Sequence, residues 1–296
     1  MTRIELPLAD SSEQLQSHEG IEPNGRAEKV YDMKATFNRA AFSYEDISRV
    51  VPVDGKRILD FGCGDGAFLK RLSPANQLFG CDVDPDRIAE ARQLVPDAAF
   101  TLVGLCPSLQ FADDAFDVVT LMNTLEHVPD EIGLLVELQR VLKPGGIFVV
   151  LVPHRSIFEV FDVGNVKFRF PRLHKLIHLA FSRTSREKYG RKFEANKNST
   201  GCIGCHTNRW HKHYTAAELS QMLSPWFEVD RQYGFCAFNH ILMIAHGACT
   251  LVCKNAETIV LRGLNRLIAL DYRIQPPPMF ANYILITATK KGRSAE

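Results

Sequence analysis

From residue 57 onward, short apolar runs alternate with stretches of helical spacing. The runs predict strands at 57–61, 77–81, 99–103, 116–121 and 147–152, and the apolar residues between them predict helices at 66–72, 85–94 and 130–142. Only Asp117 and Thr120 interrupt the runs Phe116 to Met122 and Ile147 to Val152, which is the pattern of parallel strands covered on both faces. Asp130 is placed to cap the helix that Lys143-Pro-Gly-Gly146 ends. Strands and helices in this order define an α/β fold with a doubly wound, mostly parallel sheet. A helix at 216–223, a strand at 226–231 and a final strand at 283–290 complete it.

The same reading divides the chain into four parts. Residues 1–27 form an arm, with a helix expected across 28–49, and 28–154 form the core. Residues 155–213 replace a short connection with an aromatic, basic lid, and 214–296 complete the core around an apolar helical insertion at 235–281. Gly234 to Cys253 contains no Asp, Glu, Lys or Arg, yet Asn239, His240 and His246 interrupt it. A buried or membrane-surface helix is therefore expected rather than a span.

Arg57-Ile-Leu-Asp-Phe-Gly-Cys-Gly-Asp-Gly66 turns a strand candidate into a loop with glycines at 62, 64 and 66. Without Cβ atoms the backbone can turn sharply there and approach a ligand. Asp82 ends the second strand, 20 residues beyond Gly62, where an acidic side chain meets a ribose diol in dinucleotide-type folds. The nicotinamide fingerprint requires Gly-x-Gly-x-x-Gly, whereas this loop reads Gly-x-Gly-x-Gly with Asp60 before it. A carboxylate there would repel a pyrophosphate but suit an ammonium and a sulfonium.

Asp60, the three glycines and Asp82 resemble the S-adenosylmethionine-dependent methyltransferases of the Rossmann-like class, of the type 11/12-like superfamily. The resemblance continues through Phe116 to Asp130 and through Leu138-Gln-Arg-Val-Leu-Lys-Pro-Gly-Gly-Ile147. It implies a seven-stranded sheet with an antiparallel last strand, S-adenosylmethionine as cofactor and methyl transfer as activity. Ligands in such sheets collect beyond the carboxyl ends of the strands. The cofactor candidates are accordingly Asp60, Phe61, Gly62, Cys63, Gly64, Gly66, Asp82, Val83, Met122 and Asn123. After strand three, Leu105 and Cys106 stand where the family carries an adenine-binding carboxylate, which leaves Leu105 as a wall candidate. Asp113 and Asp114 stand farther along. His127 and His154 are the base candidates for an oxygen acceptor, since imidazole titrates near neutral pH.

Some quinone-precursor methyltransferases hold a metal at Glu-x-x-Glu-His, but Asn123 replaces the first carboxylate here, so no metal is expected at this place. Cys202 and Cys205 with His206, His211 or His213 have zinc-ligand spacing. Only one Cys-x-x-Cys pair is present, so unliganded loop residues are the expectation.

The formal net charge of +1 conceals an asymmetry. Residues 1–154 carry 14 Lys/Arg and 24 Asp/Glu, whereas 155–215 carry 13 and 4. A basic segment with aromatic residues suits a membrane surface, an anionic acceptor or RNA. The eight cysteines in a chain this long do not form a disulfide framework, and the polar N-terminus lacks a signal-peptide pattern. The expectation is a cytoplasmic enzyme, with peripheral contact to the cytoplasmic membrane face an open reading. Its acceptor would be a small, partly apolar molecule such as a lipid, isoprenoid, glycolipid or natural-product intermediate. RNA methylation is the rival enzyme reading, against which stands the lack of an Asn/Asp-Pro-Pro-Tyr/Phe motif. A cofactor-binding regulatory protein without turnover is the rival from another class.

Overall fold

The first sheet residues are apolar on both sides of the strand, and that decides the architecture. In the computed structural model, which describes residues 54–104, 108–162, 165, 169–173, 175–176, 212–252, 259–271 and 274–292, Ile58 and Leu59 are both fully buried on opposite faces of strand β1 (Arg57–Phe61). The other strands are β2 (Gln77–Asp82), β3 (Ala99–Leu102), β4 (Phe116–Met122), β5 (Leu142–Pro153), β6 (Phe227–Phe235) and β7 (Tyr283–Lys290). They form one seven-stranded sheet in the order β3-β2-β1-β4-β5-β7-β6. Strands β1 to β5 pair in parallel, and β7 lies antiparallel between β5 and β6.

Helices cover both faces. On one, α2 (Glu131–Val141) buries Leu134, Leu138 and Val141, and α3 (Ala216–Leu223) buries Leu219 and Leu223. On the other, α1 (Pro85–Leu94) buries Ile88 and Ala91 against Ile58 and Val118. Two more helices between β6 and β7, α4 (Asn239–Val252) and α5 (Ile259–Asp271), pack against one another, and α5 adds Ile268 to this second face. Local sequence explains the starts. Asp84 accepts from the backbone of Asp86 and Arg87 with Pro85 in the first turn, Asp130 accepts from Gly133 N at 2.8 Å, and Thr215 with Glu218 forms a capping box.

Two expected elements differ. The helix predicted at 66–72 is reduced to a 3₁₀ turn, Leu69–Arg71. The glycine loop uses positions up to Gly66, and Leu72 is already extended (ψ 154°) two residues ahead of Pro74, so too few residues remain to nucleate. Lys143-Pro-Gly-Gly146 does not separate α2 from its strand, because β5 begins at Leu142 and carries these residues as a bulge. Leu142 pairs with Phe116 before the register jumps to Ile147 with Val118. The arm at 1–27, the helix expected across 28–49, Leu105, and Cys202, Cys205, His206 and His211 lie outside the described residues.

Candidate active site

The strand order reverses between β1 and β4, and the loops leaving their carboxyl ends meet there. Gly62 N and Cys63 N both donate to Cys81 O, at 2.7 and 3.0 Å, folding the loop after β1 over the end of β2. Gly62 has φ +77°, and a Cβ there would stand 2.2 Å from Thr124 Oγ1. Gly64 has φ +54°, but a Cβ there would meet nothing within 4 Å. The loop is thus packed against β4's exit at Gly62 and open at Gly64.

Two carboxylates flank this loop, one of them enclosed. Asp82 accepts from Gly64 N through Oδ2 and from Asp84 N through Oδ1, each at 2.9 Å. A carboxylate offers about four acceptor positions, so both oxygens keep capacity for hydroxyl donors. Asp60 is fully enclosed, and its Oδ1 accepts from Thr120 Oγ1 at 2.7 Å. Burial pushes the Asp60 carboxyl up to about 7, the Thr120 bond opposes that shift, and the nearby Asp82 charge adds to it. An uncompensated buried carboxyl of this kind gains most from a cation placed beside it. Cys63, by contrast, is a buried thiol pushed far upward by the same burial and by Asp60 and Asp82, and Phe61 sends its ring into the core. These two contribute backbone and packing. Val83, between Asp82 and the helix-capping Asp84, is half-buried.

At the end of β4, Met122 is buried and Asn123 takes φ +49°, with its N–H donating to Leu151 O at 2.9 Å. Asn123 Oδ1 is buried with no hydrogen-bond partner, leaving an acceptor at the point where β1, β4 and β5 deliver their loops. His127 ends the 3₁₀ turn Leu125–His127, with Nε2 3.9 Å from Glu126 Oε1. His154, just past β5, is held by a different set of groups. Its Nδ1 lies 3.1 Å from Ala281 O, and a carbonyl only accepts, so Nδ1 carries the hydrogen and Nε2 keeps the lone pair. Burial lowers the His154 pKa, the Ala281 bond opposes this, and His213 and Arg155 lower it further, so the ring is neutral near pH 7.

Thr120 and Asp162 were not picked out from the sequence, and His213 was named there only as a zinc-ligand candidate. Thr120, which bonds Asp60, was visible only as a polar interruption in an apolar strand. His213 joins the His154 surroundings through a bridge between His154 and Tyr214, and its Nε2 stands 3.3 Å from Asp162 Oδ2, with both side chains buried. No local motif connects residues so far apart in the chain. Asp113 and Asp114 are engaged elsewhere: Arg140 holds Asp113 at 2.8 Å, and Lys290 holds Asp114 at 2.7 Å. Among the described residues, no group of three or more His, Cys, Asp or Glu side chains is gathered as a metal site.

An open-sided glycine loop flanked by two carboxylates at the switch point of a parallel sheet defines a Rossmann-like nucleotide-cofactor protein. Residues 59–150 match the model of the methyltransferase domain family. The chain is 31% identical over 162 residues to the demethylmenaquinone methyltransferase of Geobacillus kaustophilus, covering 51% of this chain and 69% of that protein. It is 28% identical over 144 residues to a ubiquinone biosynthesis O-methyltransferase of Cereibacter sphaeroides, covering 45% of this chain and 58% of that protein. A chain of the complex formed with the Haloferax volcanii Trm112 methyltransferase activator superposes with a TM-score of 0.53 at 20% identity, covering 88% and 93% of the two chains, a likeness of fold. The chain belongs to the methyltransferase domain family, and its cofactor is S-adenosylmethionine.

Proposed function

We propose that this protein transfers a methyl group from S-adenosylmethionine to a small, partly apolar acceptor. The observation that carries the reading is the pairing of an open Gly64 with the carboxylates of Asp60 and Asp82 at the strand ends. When bound, the cofactor supplies an activated methyl carbon on a sulfonium. Asp82 would take the ribose hydroxyls on the acceptor positions left beside Gly64 N and Asp84 N. Asp60 and Asn123 Oδ1 would face the cationic methionine end, and Met122 would supply apolar packing. Leu105 is retained as the adenine-side candidate.

On the acceptor side, His154 Nε2 is the proposed proton acceptor for a hydroxyl, neutral near pH 7 and oriented by Ala281 O. His127 is the second candidate. The ring of Phe158 packs near those of Phe238 and Phe280 at centroid distances of 5.9 and 6.3 Å, giving that side apolar walls. The quinone-biosynthesis names of the two curated relatives support an acceptor of mixed apolar character.

The test is incubation with methyl-labelled S-adenosylmethionine and a cell extract, followed by fractionation into organic, aqueous, RNA and protein phases. Label in the organic phase is expected. Label in RNA would replace the acceptor class, and cofactor binding without any labelled product would replace transfer with a regulatory role.

A further inference from the structure

A helix that packs on a protein core in water ordinarily turns its polar side outward. Helix α4 does the reverse. Asn239, His240 and His246 are buried, while Ile241, Ile244 and Ala248, spaced three and four apart and hence on one helical face, are exposed. Its neighbour α5 is apolar on two sides. Leu261 and Ile268 enter the core, and Val260, Leu267 and Leu270 form a second stripe facing outward, beside Arg262 and Arg266.

These helices belong to a larger exposed apolar surface. Of the eighteen exposed large apolar side chains among the described residues, fourteen lie in the segments that follow β5 and β6, and both segments leave the same edge of the sheet. Phe158 packs on Phe238 at the start of α4, which joins the two segments, and within the first of them Arg169 pairs with Glu159 at 3.1 Å. The first segment repeats the pattern, with Phe170, Leu173 and Leu176 exposed three residues apart and Arg172 and Lys175 among them.

We propose that this surface docks on an anionic lipid bilayer. Water alone does not favour a helix with its histidines inward and its isoleucines outward, but the boundary between headgroups and acyl chains does. Charge selects the lipid, because Arg172, Arg262 and Arg266, exposed beside these apolar side chains, complement acidic headgroups. The helices lie along the surface. At 14 residues α4 is about 21 Å long, against a hydrocarbon thickness of about 30 Å, and no helix among the described residues is long and apolar enough to cross a membrane. Both helices follow the carboxyl end of β6, the same edge of the sheet that carries the glycine loop, so docking would bring the acceptor side to the lipid.

This inference does not depend on methyl transfer, since vesicle binding requires neither acceptor nor turnover. The experiment is co-sedimentation of the full chain with vesicles of phosphatidylcholine alone or mixed with phosphatidylglycerol. Binding to the anionic vesicles is expected, weakening as salt rises. The pair Leu267→Asp and Leu270→Asp should lower partitioning at least roughly tenfold. Arg262→Gln with Arg266→Gln should lower it about tenfold on anionic vesicles only. Ile132→Asp, an exposed apolar position on α2, should leave it unchanged. Retained cofactor affinity shows that the variants fold, and Leu267→Ser serves if the aspartates do not. Absence of binding to anionic vesicles would overturn the proposal, as would binding indifferent to the leucine pair. So would a dimer by light scattering that the leucine pair dissolves, since the face would then belong to a second copy.

Discussion

Gly62 and Gly64 share a left-handed backbone, but their surroundings predict opposite consequences of adding one methyl group. At Gly62 the new Cβ of Gly62→Ala would stand 2.2 Å from Thr124 Oγ1 and 2.4 Å from its Cγ2. Thr124 is buried and its hydroxyl donates to Met122 O at 3.0 Å, so it cannot swing away without losing that bond. Left-handed strain of about 1–2 kcal/mol combines with overpacking of about 1–3 kcal/mol, for a loss of about 2–5 kcal/mol. For a chain of this size, whose unfolding entropy is about 0.6 kcal/mol/K, that lowers Tm by roughly 3–8 °C. Gly64→Ala carries only the backbone strain, about 1–2 kcal/mol, because its methyl projects into open space. That space is where the cofactor is proposed to lie, so affinity should fall at least tenfold while the fold persists. Thermal unfolding and isothermal titration with S-adenosylmethionine separate the two effects. The double variant Gly62→Ala with Thr124→Ala should recover part of the loss, the part due to Oγ1 and Cγ2. Unchanged cofactor affinity in Gly64→Ala would refute the assignment of the open side of the loop. Wild-type Tm in Gly62→Ala would refute the packing argument.

Asp60 predicts a pH dependence of definite sign. Its carboxyl is raised from 3.8 to about 7 on folding, so its contribution to stability is complete below pH 4 and is lost as pH rises through about 7. The span amounts to roughly 4 kcal/mol at most, and Asp60→Asn should flatten that part of the stability profile in denaturant titrations. Cofactor affinity should move the other way and strengthen as pH rises through 7, and Thr120→Val should displace that midpoint upward by removing the bond that favours the ionised form. Asp82→Ala removes both the proposed ribose acceptor and the tie to Gly64 N, with an expected affinity loss of about 10- to 100-fold; unaltered titration would reject the ribose contact. Asp271 accepts from Ala237 N and Phe238 N at 3.0 Å at the entry to α4. Asp271→Ala should cost about 1–3 kcal/mol in chemical denaturation, because buried amide donors lose their partner.

Legibility followed the range of the interactions. Apolar runs located the strands and Asp130 located the start of α2, because both signals are local. The glycine loop and Asp82 were legible because one βαβ unit fixes their spacing. Thr120 was visible as an anomaly without a meaning, since its bond to Asp60 depends on the β1–β4 register. His213 and Asp162 meet only after β5 and the bridge at Tyr214 have formed, and no pattern within either segment encodes that. The charge-free stretch at Gly234 to Cys253 announced a helix, but which side of it would face the core depended on where β6 and β7 sit. The 66–72 segment misled because apolar spacing says nothing about how many residues a preceding loop consumes.

The position of β7 constrains the order in which the molecule can be built. Five parallel strands are available once residue 153 has left the ribosome, yet β5 then presents an unpaired edge that only Tyr283–Lys290 can fill. Strand β6 pairs with β7 alone and must wait beside the growing sheet until that strand arrives. A chain released before residue 283 would therefore lack two strands rather than one, with the backbone of β5 open to pairing with another molecule.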